Sequence, residues 1–273
     1  MAPRTLAIEP LTKPGFAPFG TVIERDGAEI VMINEGTTTR YHALSEVNVA
    51  SGGGRPILSI FAGTPQTGAV SVESTTSGTI TVQGLDFRVG GYTLSGVTAT
   101  DAITLQSAWD DNLARLNADA QAVTATIAVN LDGPAGVRKT GAGTIVFTGD
   151  KTYQGGTSIV GGTLQIGAAT GPGSVVGDIT VGGQNGATLS LFAPAAGLTF
   201  TNVLHGVAAS ALHIAGTGTV NFNSASGTSF LGTTTVLDGA TLAGSGAIGG
   251  PVTVQATGAI SGTHGTTLQL GSS

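Results

Sequence analysis

From Thr67 to the end of the chain, short runs of β-branched residues recur, and nearly every one stops at glycine or asparagine. Thr79-Ile-Thr-Val82, Thr144-Ile-Val-Phe147, Ile179-Thr-Val181, Val220-Asn-Phe222 and Val252-Thr-Val254 are the clearest. Such runs read as strands separated by tight turns. Their spacing, about 8 to 15 residues, is too short for the crossover helices of a wound α/β sheet. An all-β fold is therefore expected. Helical spacing occurs only in Trp109-Asp-Asp-Asn-Leu-Ala-Arg-Leu116, which predicts either a single helix or an irregular rung.

Internal similarity separates a sandwich from a solenoid, because only a stack of rungs has a reason to repeat its sequence. Lys139-Thr-Gly-Ala-Gly-Thr144, followed by an apolar strand and Tyr153-Gln-Gly-Gly-Thr157, returns as Ile214-Ala-Gly-Thr-Gly-Thr219, a strand, and Phe230-Leu-Gly-Thr-Thr234. These read as two copies of one rung, continuing into Gly162-Thr-Leu164 and Gly239-Ala-Thr-Leu242. In such a stack small and branched residues fill a narrow interior, glycine turns the corners, and threonine and asparagine face water in ladders.

Composition changes near residue 66. Eleven of the charged residues and eight of the 45 glycines lie before Thr67, so the long remainder carries fifteen charges and 37 glycines. After Lys151 only Asp178 and Asp238 are charged. The chain therefore divides into an ordinary globular segment, 1–66, and a repetitive one, 67–273. A net charge of -6 without a basic stripe argues against nucleic acid as a partner. No apolar stretch approaches the roughly 18 residues of a spanning helix, so no membrane span is expected. With no cysteine, disulfides and thiolate metal sites are excluded. The first twenty residues hold Arg4, Glu9 and Lys13 and four prolines, which leaves no room for the apolar core of a signal peptide. As written, the chain starts like a cytoplasmic protein.

Val137-Arg-Lys-Thr-Gly-Ala-Gly-Thr-Ile-Val-Phe-Thr-Gly149, with Thr152-Tyr-Gln-Gly-Gly-Thr157 and Gly161-Gly-Thr-Leu-Gln-Ile-Gly167, resembles the autotransporter-associated β-strand repeat of bacterial passenger domains. Gly239-Ala-Thr-Leu-Ala-Gly-Ser-Gly-Ala-Ile-Gly-Gly250 with Val252-Thr-Val254 is similar to the rung pattern near the end of such passengers, and Phe87-Arg-Val-Gly-Gly-Tyr-Thr-Leu94 fits an earlier repeat. The resemblance covers about 67–273. It implies a right-handed parallel β-helix at a bacterial surface or secreted, an adhesive or structural role, and a cell-surface ligand of unspecified identity. The export signal and outer-membrane barrel of that family are not found in the sequence.

Residues 1–64 resemble a different family. Ile8-Glu-Pro-Leu-Thr12, Phe16-Ala-Pro-Phe-Gly20, Val22-Ile-Glu24, Ile33-Asn34, Gly36, Arg40-Tyr-His42, Leu44 and Ser59-Ile-Phe61 are similar to the amino-terminal part of ureidoglycolate lyase. That family is a homodimeric cupin-like β-barrel that cleaves ureidoglycolate to glyoxylate and urea in purine breakdown. The resemblance implies Asn34, Arg40 and His42 as substrate contacts in a complete barrel. It stops near Gly63, so a short incomplete cupin-like segment is expected, and a partial barrel cannot surround a substrate.

Other motifs dissolve on inspection. Gly244-Ser-Gly-Ala-Ile-Gly249 satisfies the dinucleotide fingerprint but runs into Gly250-Pro-Val-Thr-Val254, a strand where a helix is required. Lys139-Thr-Gly141 lacks a partner S-x-x-K, and Gly149-Asp-Lys-Thr152 lacks a following helix; both read as repeat residues. His205, His213 and His264 have no ligand-spaced partner, so no metal or other cofactor is expected. The leading expectation is a non-enzymatic structural or adhesive passenger fragment. The alternatives are ureidoglycolate lyase, and a chimeric gene product without a function of its own. Because the sequence runs to Thr267-Leu-Gln-Leu-Gly271 still in strand-like register, self-association through an open solenoid end is also expected.

Overall fold

The structure, a computed structural model, describes residues 68–72, 74, 80–107, 111–224, 228–262 and 268–270, together with the main chain of strands Arg4–Leu6, Val22–Arg25, Ala28–Glu35, Thr38–Ala43 and Leu58–Phe61. Every named element is a β-strand. Apart from an antiparallel ribbon formed by Val22–Arg25, Ala28–Glu35 and Thr38–Ala43, the named strands pair in parallel and stack as a β-solenoid of about seven turns. Among the described residues no helix is long and apolar enough to cross a membrane.

Each turn of the solenoid contributes to three faces. The first face stacks Leu58–Phe61, Gly84–Phe87, Leu113–Ala118, Gly136–Thr140 and the opening residues of Thr157–Ile166. The second stacks Arg4–Leu6, Gly68–Val72, Tyr92–Gly96, Thr124–Ile127 and Thr144–Phe147, and continues through Ala211–Gly216 and Thr233–Val236 to Val252–Val254. The third holds Ile80–Val82, Ala102–Leu105 and Asn130–Asp132 in early rungs, and Leu198–Phe200, Thr219–Phe222, Thr241–Ala243 and Ala259–Ile260 in later ones. The first two faces form one sheet because Thr157–Ile166 and Ile179–Ala193 run round the corner between them without a break.

Strand alternation sends every second residue inward, and identical positions on successive rungs lie directly above one another. On the second face this produces one continuous ladder, Val70, Leu94, Ile127, Phe147, Ile166, Leu191, Ile214 and Val236, all buried. Each such side chain removed from water contributes roughly 2 kcal/mol. The alternate positions form the expected hydroxyl ladder, with Thr124, Thr144, Thr163 and Thr188 in register. On the third face Phe200 and Phe222 stack with ring centroids 5.2 Å apart.

Two expectations change. Leu113–Ala118 is a strand, so the helical spacing of 109–116 gives way to the irregular rung; Trp109 lies outside the described residues. Ala114, Leu116 and Ala118 point inward with period two, and burial on neighbouring rungs outweighs a short helical pattern. The chain enters this strand through Asn112, which has a φ of 56°.

The two apparent copies are also not equivalent rungs. Lys139 pairs with Leu116 and Ile159 on the first face, whereas Ile214 pairs with Leu191 and Val236 on the second. Lys139–Thr144 turns from the first face to the second, and Ile214–Thr219 from the second to the third. They look alike because both corners need the same bend. Gly141 and Gly216 have φ of 73° and 96°, and a Cβ on either would collide with a carbonyl of the preceding rung, that of Ala118 or of Ala193. Only glycine fits both requirements.

The strand pairing runs across residue 66. Arg4–Leu6 pairs with Val70–Val72, and Leu58–Phe61 with Gly84–Phe87, both in parallel. The amino-terminal segment thus supplies strands to the first rung.

Candidate functional site

The rung from Val137 to Thr157 buries two lysines, Lys139 and Lys151, whose ammonium groups are held by main-chain carbonyls. Lys139 occupies an inward position between Leu116 and Ile159 and is fully buried. Its Nζ donates to the carbonyls of Thr140, Gly141 and Gly161 at 2.6, 3.1 and 3.0 Å. Lys151 is equally buried; its Nζ donates to the carbonyls of Thr148 and Gly149 at 2.6 and 3.3 Å and lies 5.5 Å from the centroid of the Phe147 ring. Glycine corners make these carbonyls available, since bends in the main chain leave oxygens without a partner on the next rung. Burial lowers the Lys139 ammonium to about 8 and Lys151 to about 7, the latter partly offset by the Asp150 carboxylate.

Directly outside Lys151, residues Thr148, Gly149 and Asp150 form part of an open groove at the corner between the second and third faces. Its floor begins with the register pair Thr93 and Thr126 and continues through Ser95 and Ala128. One wall is the loop around Thr170–Ser174, closed by reciprocal main-chain bonds between Ala168 and Gly171 and tied to Gly149 by its Pro172 carbonyl. Gly149–Asp150 pairs in parallel with Gly173–Ser174, and the Ser174 hydroxyl donates to Asp150 at 2.6 Å. Gly197, Leu198 and Thr199 line the groove on a later rung. The lining offers threonine and serine hydroxyls and one carboxylate, set in a surface that is more apolar than polar.

Sequence reasoning took Lys139-Thr-Gly141 and Gly149-Asp-Lys-Thr152 as repeat residues, and both sit within rungs. Within Gly244–Gly249, residues 244–246 turn the chain between Thr241–Ala243 and the strand Ala247–Ile248. His205 faces outward and pairs through Nδ1 with the Ser229 hydroxyl at 2.8 Å, while His213 stands between Ser190 and Thr235, half-buried. His264 lies outside the described residues. Among the described residues no group of three or more potential ligands gathers round a metal position. The groove itself escaped sequence reasoning because its lining comes from five separated stretches; the Gly171-Pro-Gly173 loop was the one local signal.

Asn34, Arg40 and His42 lie on the antiparallel ribbon. Arg40 stands opposite Ile33 and His42 opposite Val31, so these two share one face, while Asn34, opposite Thr39, falls on the other.

Carboxylates in the early rungs serve as clips between turns. The buried Asp101 accepts from the amides and hydroxyls of Ser74 and Thr98. Asp111 bridges Arg115 at 2.8 Å and Arg138 at 3.3 Å, which would otherwise repel across adjacent rungs.

Two stretches of the chain match known families. Residues 3–83 match the family model described as Ureidoglycolate lyase, which extends into the strands Gly68–Val72 and Ile80–Val82, past the Gly63 limit expected from the motifs. Residues 137–166 match the Passenger-associated-transport-repeat, the rung that holds both buried lysines. A ureidoglycolate lyase of Burkholderia mallei is 55% identical over 64 residues, covering 23% of this chain and 38% of the relative. Those of Pseudomonas syringae pv. tomato and Brucella anthropi are 59% identical over 58 residues and 58% over 59, covering 21% and 22% of this chain and 34% and 35% of the relatives. The chain thus spans well under half the length of these lyases. No solved structure matches it significantly. By its parts, the chain carries a ureidoglycolate lyase-like amino-terminal segment joined to a β-solenoid that contains a passenger-associated transport repeat.

Proposed function

We propose that this chain is a non-enzymatic passenger of the autotransporter type, which works by presenting the hydroxyl-lined outside of its solenoid to a cell surface. The observation that supports this reading best is the groove over Thr93, Thr126 and Asp150: it is built by rung stacking, it opens to the outside, and it sets threonine and serine hydroxyls and one carboxylate on a largely apolar lining, a mixture suited to both the hydroxyls and the C–H faces of sugar rings. A neutral polysaccharide, whose repeated hydroxyls match a repeated hydroxyl lining, is the class of ligand that fits. In this role the lyase-like segment contributes strands to the first rung.

The test is retention of the intact chain on a panel of immobilised neutral polysaccharides, compared with a variant carrying Asp150→Ala and Thr170→Val. Retention by at least one polysaccharide, weakened in the variant, supports the reading; equal behaviour of the two proteins, or no retention on any, contradicts it.

A second reading is favoured by the 55% identity over 64 residues to a ureidoglycolate lyase: a lyase that cleaves ureidoglycolate using Arg40 and His42. Against it stands the use of Arg4–Leu6 and Leu58–Phe61 as rung strands, paired in parallel with the solenoid.

A further inference from the structure

Among the residues whose side chains are described, Lys139 and Lys151 are buried, and the cations that reach solvent are Arg88, Arg115 and Arg138. All three belong to the first face: Arg115 and Arg138 lie on its strands, and Arg88 follows Gly84–Phe87. Strand register stacks Arg115, Arg138, Ser158, Thr180, His205 and Ser229 in one outward column, a residue from each rung. Neighbours in such a column stand about 4.8 Å apart. Arg138, 36% exposed, has the longer share of the Asp111 carboxylate, at 3.3 Å against 2.8 Å for Arg115. That single bond leaves most donors of its guanidinium fork for a ligand. On the next two rungs the hydroxyls of the half-buried Ser158 and the exposed Thr180 make no hydrogen bond among the described residues, and beyond them His205 and Ser229 bond to each other. Val160, Gly182 and Val207 follow Ile159, Val181 and Gly206 in the chain, so an apolar strip runs beside the column, with Val207 53% exposed.

We propose that Arg138, Ser158 and Thr180 form a binding site for a linear acidic polysaccharide that lies along the solenoid axis. A carboxylate of the ligand accepts from the Arg138 guanidinium, whose planar fork matches it, and ring hydroxyls bond to Ser158 and Thr180 on the following rungs. The C–H faces of the sugars lie against Val160 and Val207. Charge complementarity selects this occupant. The column offers one well-exposed cation followed by neutral hydroxyls, in a chain whose net charge is -6, so a densely charged polymer is repelled while a sugar chain that brings hydroxyls with each carboxylate is not. The site is on the first face and shares no residue with the groove over Thr93, Thr126 and Asp150, so it stands or falls independently of that groove.

The experiment measures binding of the 1–273 chain to immobilised polygalacturonate at low salt, with its methyl ester and polyglutamate as comparison surfaces. Wild type should bind polygalacturonate more tightly than polyglutamate, and Arg138→Gln should weaken that binding about tenfold, the loss expected for one charge-assisted contact. On the methyl ester, which has no carboxylate, wild type and Arg138→Gln should behave alike. Arg88→Gln, which removes an exposed cation outside the column, should bind polygalacturonate like wild type. Should Arg138→Gln lose its β circular-dichroism spectrum, Thr180→Glu decides: it changes an exposed side chain, and a negative charge there should abolish binding. A wild type that does not bind polygalacturonate, equal binding to polyglutamate, an Arg138→Gln effect that persists on the methyl ester, an equal loss in Arg88→Gln, or folded Arg138→Gln and Thr180→Glu proteins that bind like wild type would each overturn the proposal.

Discussion

Tyr153 and Thr157 join their hydroxyls in a 2.6 Å hydrogen bond inside the solenoid, across the corner Gln154-Gly-Gly156. The Tyr153 side chain is fully buried, and burial raises its phenol well above the ordinary tyrosine range, with the bond to Thr157 acting in the opposite direction. Only a neutral phenol suits this position. Tyr153→Phe keeps the ring and strands the Thr157 hydroxyl, so it should lower unfolding stability by about 1–2 kcal/mol. Urea unfolding of the two proteins measures the difference; equal midpoints and slopes would show that this bond adds nothing to the corner.

Thr234 presents the reverse case. It occupies an inward rung position between Leu212 and Val252, is fully buried, and its Oγ1 has no hydrogen-bond partner. Thr234→Val preserves the shape and removes the uncompensated hydroxyl. It should stabilise the protein by about 1 kcal/mol, seen as a higher urea midpoint with an unchanged slope. A loss of stability would mean that the hydroxyl is satisfied within the rung.

The buried lysines fix the sign of a pH dependence. Their ammonium groups titrate at about 8 and about 7 in the folded chain, and near 10.5 when unfolded. Between those values the unfolded state binds more protons, so folding stability rises with pH from about 7 to about 10. Below that window both states are protonated and the cost of burying the charge is carried in full. With a shift of one pKa unit corresponding to about 1.4 kcal/mol, the rise summed over both lysines is on the order of 5–8 kcal/mol. Urea unfolding from pH 6 to pH 10 should show it, and Lys151→Met should flatten it. A stability that is level or falls across this range would contradict the burial of these charges.

Much of the fold was legible because β alternation and glycine punctuation are local signals. Leu164 and Ile166 enter the core two residues apart, just as their strand pattern requires, and Gly162, with a φ of 59°, bends that strand at a corner. What was not legible depends on how far the chain travels between rungs. Gly141 and Gly216 obey one steric rule at two different corners, so sequence similarity alone equated positions that lie on different faces. Lys139 read only as a repeat residue; it lies inside, where the carbonyls of Gly141 and Gly161, from successive rungs, converge on its ammonium. The groove beside Asp150 required knowledge of which rungs are neighbours. The residues Arg40 and His42 were found by resemblance, and register alone puts them on one face of their ribbon and Asn34 on the other.

Whether the lyase-like segment serves the stack or a substrate is decided by assaying the intact chain with ureidoglycolate and measuring glyoxylate. The strands Arg4–Leu6 and Leu58–Phe61 are engaged in the first rung, and release should not exceed the background without protein. Saturable glyoxylate release that disappears in both Arg40→Ala and His42→Ala would contradict the account and identify the chain as an enzyme.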